Sequence, residues 1–163
     1  MKLAICPGSF DPVTNGHLNI ITRAAAMFDR VIVVVMVNGN KQPLFTCEER
    51  VDLLKRATAG MPNVEIDFYG GLLADYAANV QACAIVKGLR ALSDFEYEFQ
   101  MALTNRTLNP AVETVFLTTN AEYMYLSSSL VKQVAGLGGD IREFVPACIL
   151  EDILQKYGRN ERT

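Results

Sequence analysis

The only histidine of the chain, His17, follows Gly16 in the run Cys6-Pro7-Gly8-Ser9-Phe10-Asp11-Pro12-Val13-Thr14-Asn15-Gly16-His17. A strand ends near Cys6, a turn-rich loop follows, and a helical pattern opens near Gly16. The first turn of a helix presents backbone N–H groups without partners, and these receive a phosphate well. An imidazole in that turn adds a donor that can follow charge as it develops on a reacting phosphate. A lone histidine is more often a capping or surface residue. Thr14-Asn15-Gly16 before it weighs against that, as do three downstream groups: Asn38-Gly39-Asn40-Lys41, Lys87-Gly88-Leu89-Arg90 and Ser127-Ser128-Ser129-Leu130-Val131-Lys132. Taken singly, Lys41 reads as a solvated loop lysine, and Ser127, Ser128 and Ser129 equally as a helix cap or an anion nest. Lys87 and Arg90 beside a glycine suit anion binding as well as ordinary strand-end charge.

Other chemistries find little support. No G-x-G-x-x-G follows the first strand and no G-x-x-x-x-G-K-[ST] occurs anywhere, which removes the main signal of dinucleotide oxidoreductases and P-loop enzymes. A single histidine rules out an H-x-x-x-H metal site, and Cys6, Cys47, Cys83 and Cys148 lie too far apart for a C-x-x-C pair. Scattered cysteines of this kind read as reduced core thiols of a cytoplasmic protein. A net charge of −3 argues against a general nucleic-acid or anionic-membrane binder. The apolar residues before Pro7-Gly8 are too few for a secretory signal, and Val31–Val37 is too short to span a bilayer. A soluble protein is expected, with residues 1–163 forming one domain.

The elements that must position these groups alternate along the chain. Leu3–Cys6 reads as a buried strand, and Leu18, Ile21, Ala25 and Phe28 then recur at helical spacing. Val31–Val37 is an apolar run without alternation, as in a parallel strand covered on both faces. Thr46 with Glu49 forms a capping box that opens a helix to about Thr58. Val64–Phe68, Cys83–Val86 and Thr114–Leu117 complete five strands, with a short helix over Leu72–Val80. From Phe95 to Met101 apolar residues alternate like a strand. Ser93 and Glu96 nevertheless make a second capping box and no breaker interrupts four turns, so a helix over 93–108 is expected, with apolar residues on more than one face. A helix starts among Ser127, Ser128 and Ser129, and a last one follows Pro146. The expected fold is α/β, a single Rossmann-like domain with a five-stranded parallel sheet and helices on both faces. Its ligands belong beyond the carboxyl ends of the strands, where all four polar groups fall.

Thr14-Asn15-Gly16-His17 resembles the T-x-G-H signature of the nucleotidyltransferase superfamily, and Ser127-Ser128-Ser129-x-x-Lys132 resembles its S-S-S/T-x-x-[KR] signature. Within it, the blocks PGSFDPVTNGH (7–17), FTCEER (45–50), KGLR with SDFEYE (87–98), ETVFL (113–117), SSSLVK (127–132) and GGDIREFVP (138–146) are similar to the bacterial phosphopantetheine adenylyltransferases. That resemblance implies adenylyl transfer from ATP to 4′-phosphopantetheine, with Mg²⁺ on the triphosphate, a homohexamer and feedback inhibition by coenzyme A. It implies His17 as transition-state stabiliser. Ser9, Phe10, His17, Gly88, Leu89, Arg90, Glu98 and the run Tyr123, Met124, Tyr125, Leu126, Ser127, Ser128, Ser129 would hold ATP. Ser9, Lys41, Leu73 and Lys87 would hold the acceptor. Lys87 stands where arginine is usual and keeps the charge without the bidentate fork. Two other readings stay open: a sister enzyme acting on nicotinamide mononucleotide or a sugar or alcohol phosphate, which shares both signatures and is opposed only by the acceptor residues Lys41, Leu73 and Lys87, and a non-catalytic adenine-nucleotide module, which shares the fold but has no need for both signatures.

Overall fold

The computed structural model describes residues 1–37, 39 and 42–158, and of Leu92 and Ser93 the backbone alone. Lys41 therefore lies outside the described residues. Five parallel strands, β1 (Leu3–Gly8), β2 (Arg30–Met36), β3 (Val64–Tyr69), β4 (Ala84–Leu89) and β5 (Glu113–Thr118), form one sheet in the order β3-β2-β1-β4-β5. The helices are α1 (Asn15–Met27), α2 (Cys47–Ala57), α3 (Leu73–Asn79), α4 (Leu92–Leu108), α5 (Ser128–Gly136) and α6 (Leu150–Lys156). The continuous apolar run of β2 is buried from Val31 to Val35 because both sheet faces are covered. The larger core holds Phe45, Ile21, Leu53 and Val131, and a smaller one on the other face holds Ile5, Ile32, Val34 and Tyr76.

Strand order reverses between β1 and β4, which makes that pair the switch point where open parallel sheets take ligands. The pairing there is short. Three strand pairs each run through six residue pairs, whereas β1 and β4 pair only at Ala4↔Ala84 and Ile5↔Ile85. Beyond Ile5 the two strands are no longer laddered, and a cleft opens between their carboxyl halves. β1 runs two residues past the expected end at Cys6, with Pro7 and Gly8 paired to β2. A proline so placed interrupts no β1–β4 bond, because that ladder has already stopped.

Two helix starts differ from the sequence reading. α4 begins at Leu92 with Ala91 as its N-cap, so Ser93 sits inside the first turn rather than at the cap. Pro146 caps a 3-10 turn over Ala147–Ile149, and α6 follows at Leu150, instead of Pro146 opening the last α-helix directly. The apolar residues of α4 do occupy more than one face, and their disposition is inside-out. Asp94, Glu98, Ala102 and Asn105 lie on the inward side, while Phe95, Tyr97, Phe99, Met101, Leu103 and Leu108 are exposed, Leu103 by 53%. Phe95 and Phe99 stack on one another, with ring centroids 5.5 Å apart. Among the described residues no helix is long and apolar enough to cross a membrane.

Candidate active site

The cleft at the β1–β4 seam has a volume of about 570 Å³. Its first wall is the loop after β1. Phe10 there adopts φ 48°, a region costly for a side chain with a Cβ, and is held by its surroundings. Its ring covers Gly8, where an added Cβ would stand 2.9 Å from the ring, and meets His17 edge-on at 5.1 Å between centroids. Arg50, buried on α2, donates from Nη1 to the Ser9 carbonyl at 2.9 Å. Asp11, also buried, accepts from the Leu44 and Phe45 N–H groups, both at 2.9 Å, and from Lys132 Nζ at 3.0 Å. Ser128 Oγ donates to the Pro12 carbonyl at 2.7 Å. One loop is thus tied to α2 and to α5.

His17 occupies the N3 position of α1 and does there what glutamate or glutamine usually does. Its backbone N–H donates to Thr14 Oγ1 at 3.3 Å, and the Thr14 N–H donates to His17 Nδ1 at 3.0 Å, a reciprocal capping box. An Nδ1 that accepts a backbone proton carries none itself, so the neutral ring holds its proton on Nε2. Burial first, then the positive charges of Arg90 and Lys87, lower the His17 pKa to about 4. At neutral pH the group is therefore an uncharged N–H donor in the cleft wall. Cys6 also lines the cleft, but burial pushes its thiol up to about 12, against a smaller opposing effect of Lys87, so it is no nucleophile.

The opposite wall comes from β4 and α4. Gly88 allows β4 to approach α1 closely, since a Cβ there would lie 2.9 Å from Ile20 Cγ1. Arg90 is aimed by three contacts: Nε to Asp94 Oδ2 at 3.0 Å, Nη2 to Asp94 Oδ1 at 3.5 Å, and Nη1 to the Leu126 carbonyl at 2.9 Å. Lys87 Nζ lies 3.2 Å from Glu98 Oε1. Ser127 caps α5 by accepting from the Leu130 N–H at 3.1 Å, and with Ser128 and Tyr123 it closes the cleft.

The cleft brings together Ser9, Phe10, His17, Lys87, Gly88, Arg90, Glu98, Tyr123, Leu126, Ser127 and Ser128 of the expected residues. Ser129 lines an adjoining cavity of about 380 Å³ that shares Ser9 and Ser128 with the cleft. Met124 and Tyr125 are exposed outside it, Leu89 is not in its wall, and Leu73 packs against the smaller core at the head of α3. No group of three or more His, Cys, Asp or Glu side chains could hold a metal ion among the described residues, and the cleft carboxylates Asp94 and Glu98 are both paired with basic groups.

A cytidylyltransferase-like family model matches residues 5–134. A phosphopantetheine adenylyltransferase from Caldanaerobacter subterraneus subsp. tengcongensis is 56% identical, over 98% of this chain and 100% of that protein. Another, from Alkaliphilus metalliredigens, is 58% identical over 96% of this chain and 99% of that one. The chain belongs to the phosphopantetheine adenylyltransferase family. A solved structure from Vibrio parahaemolyticus, assigned as a nicotinate-nucleotide adenylyltransferase, matches with a TM-score of 0.72 over 98% of both chains at 17% identity, which speaks to the fold alone.

Sequence reasoning missed three contributors to this adenylyltransferase-family site. Asp94 follows Arg90 and precedes Glu98 by four residues each, so the i,i+4 spacing could have put both carboxylates on one face of α4. Asp11 sat in view inside the first motif but reads as a turn residue. Arg50 carried no local signal, because its partner Ser9 is 41 residues away.

Proposed function

We propose that this chain transfers the adenylyl group of ATP to 4′-phosphopantetheine, releasing pyrophosphate and dephospho-coenzyme A. The observation that carries the reading is His17, a neutral Nε2–H donor locked in one tautomer beside Lys87 and Arg90 at the switch point of a parallel sheet. The acceptor is a phosphate monoester, largely dianionic at neutral pH, so its oxygen attacks the α-phosphorus without a general base. That agrees with a site whose described residues offer donors and keep both lining carboxylates paired. Catalysis is then positioning plus stabilisation of charge growing on the phosphate oxygens, with His17 meeting the α-phosphate.

On this reading Ser9, Lys41, Leu73 and Lys87 hold 4′-phosphopantetheine. Ser9, Phe10, His17, Gly88, Leu89, Arg90, Glu98 and the run Tyr123–Ser129 hold ATP. Among the described residues both lining carboxylates are paired, so Mg²⁺ would arrive on the triphosphate and stand beside the hydroxyls of Ser9, Ser127 and Ser128. When bound, the ion neutralises phosphate charge. The inside-out α4 supports self-association, and a hexamer is the assembly we propose. Coenzyme A contains the product's skeleton and would compete for the same cleft. A cytoplasmic setting suits the four free thiols and the ATP requirement.

The test is pyrophosphate release from Mg·ATP with 4′-phosphopantetheine, nicotinamide mononucleotide or glycerol 3-phosphate offered in parallel, and product mass read for each. Turnover with 4′-phosphopantetheine alone is expected. Turnover confined to another acceptor overturns the acceptor half of the reading, and none with any acceptor overturns both halves.

A further inference from the structure

A cleft meant for two polyanions should be strongly positive, and the described residues that line this one are not. Among the described residues that line it, the cations Lys87 and Arg90 are matched by the carboxylates Asp94 and Glu98, and His17 is neutral. The two carboxylates engage their partners differently. Asp94 grips Arg90 mainly along its Nε edge while Leu126 fixes Nη1, and the remaining guanidinium N–H groups stay available to a ligand. Glu98 instead sits at the one charged point of Lys87, 3.2 Å from Nζ, with side chains only 25% and 19% exposed. Glu98 is the only partner of the Lys87 ammonium among the described residues. Asp94 aims its cation, and Glu98 cancels its own.

We infer that Glu98 is a competing counter-ion for Lys87, which an incoming phosphate must displace, and that it thereby sets how much negative charge an acceptor has to bring. This rests on the reading above that Lys87 takes the acceptor phosphate. A phosphate monoester carries nearly two charges and three acceptor oxygens and outcompetes a single carboxylate for the ammonium. A ligand offering one charge, a carboxylate or a phosphodiester, gains little by the exchange. Part-buried charges feel one another more strongly than exposed ones, so the competition is not screened away. Glu98 is thus a specificity-determining residue, and removing its charge should improve binding, the opposite of what a merely structural or ligand-aiming residue would do.

The experiment titrates the full chain and the Glu98→Gln variant with 4′-phosphopantetheine, inorganic phosphate and pantetheine, which lacks the phosphate, using calorimetry without ATP. Glutamine keeps the volume and an acceptor oxygen, and a thermal melt of each variant verifies folding. The phosphate-bearing ligands should bind Glu98→Gln about three- to fivefold more tightly, with pantetheine unchanged. The gain should vanish when Lys87→Met is added, because it acts through that ammonium. Unchanged or weaker phosphate binding in Glu98→Gln overturns the assignment, as does an equal gain for pantetheine. If the unmodified chain binds no 4′-phosphopantetheine while Glu98→Gln still tightens inorganic phosphate, the proposed acceptor falls and the counter-ion stands.

Discussion

His17 performs two jobs that substitution can separate. His17→Ala removes the Nδ1 acceptor for the Thr14 N–H and the Nε2–H donor together. Thr14 still caps the helix through the backbone N–H of residue 17, so loss of the reciprocal bond alone costs about 0.5–1.5 kcal/mol of stability. Loss of one donor to a developing oxyanion costs about 2.7–4 kcal/mol of transition-state stabilisation, or roughly 10²–10³ in kcat. His17→Gln puts a normal capping-box residue at N3 and should recover most of the melting temperature without recovering turnover. The pH profile gives a second check. Between pH 6.5 and about 4 the unfolded chain protonates this imidazole while the folded one, with its pKa lowered to about 4, does not. The unfolded state then binds more protons, so stability falls as pH falls through that window, by on the order of 3 kcal/mol at its lower end relative to His17→Gln. Steady-state assays with saturating Mg·ATP, and denaturant melts from pH 4 to 8, read both quantities. A kcat for His17→Ala within about fivefold of the parent would refute the donor role. A loss of activity centred near pH 6.5 and absent from His17→Gln would refute the neutral imidazole.

Other expectations follow from the loop ties and the surface. Asp11→Ala removes the acceptor of two backbone N–H groups and the partner of the part-exposed Lys132, and leaving buried donors unsatisfied costs about 1–3 kcal/mol, a fall of roughly 2–12 °C in Tm by calorimetry. Asp11→Asn, which keeps an acceptor, should lose less. A thiol reagent at pH 8 should label the exposed Cys83 and Cys148 first and leave Cys6 unmodified until the protein unfolds, as mass spectrometry of peptides would show; early labelling of Cys6 contradicts its raised pKa. Phe99→Glu with Leu103→Glu should lower the sedimentation-velocity mass if α4 is the assembly surface, and an unchanged mass removes α4 from it.

The apolar run of β2 and the capping box at Thr46 were enough to place those elements, because each is decided by residues within a few positions of one another. His17 stood out by type and by the glycine before it. Its cap contact did not, since the usual rule looks for glutamate or glutamine at N3. The strand-like alternation from Phe95 to Met101 misleads for a physical reason: two outward stripes of α4, 95-99-103 and 97-101, are apolar although neither faces the core. Asp11 and Arg50 were illegible for another reason. Their work is to join segments more than thirty residues apart, and local pattern carries no record of that.

The short ladder between β1 and β4 has a mechanical consequence. The sheet is two half-sheets, β3-β2-β1 and β4-β5, laddered together at two residue pairs and stitched above by Ser128 to Pro12 and Lys132 to Asp11. His17 stands on α1, which follows β1 and itself reaches across the seam through Ile20 against Gly88 and Arg23 to the Thr118 carbonyl, while Lys87 and Arg90 stand on the β4 side. A molecule touching all three adds a further tie across the seam where the strands themselves are not laddered. Amide protons of Cys6, Gly8 and Val86–Leu89 then become occupancy gauges, exchanging slowly when the cleft is filled and faster when it empties, with no turnover required.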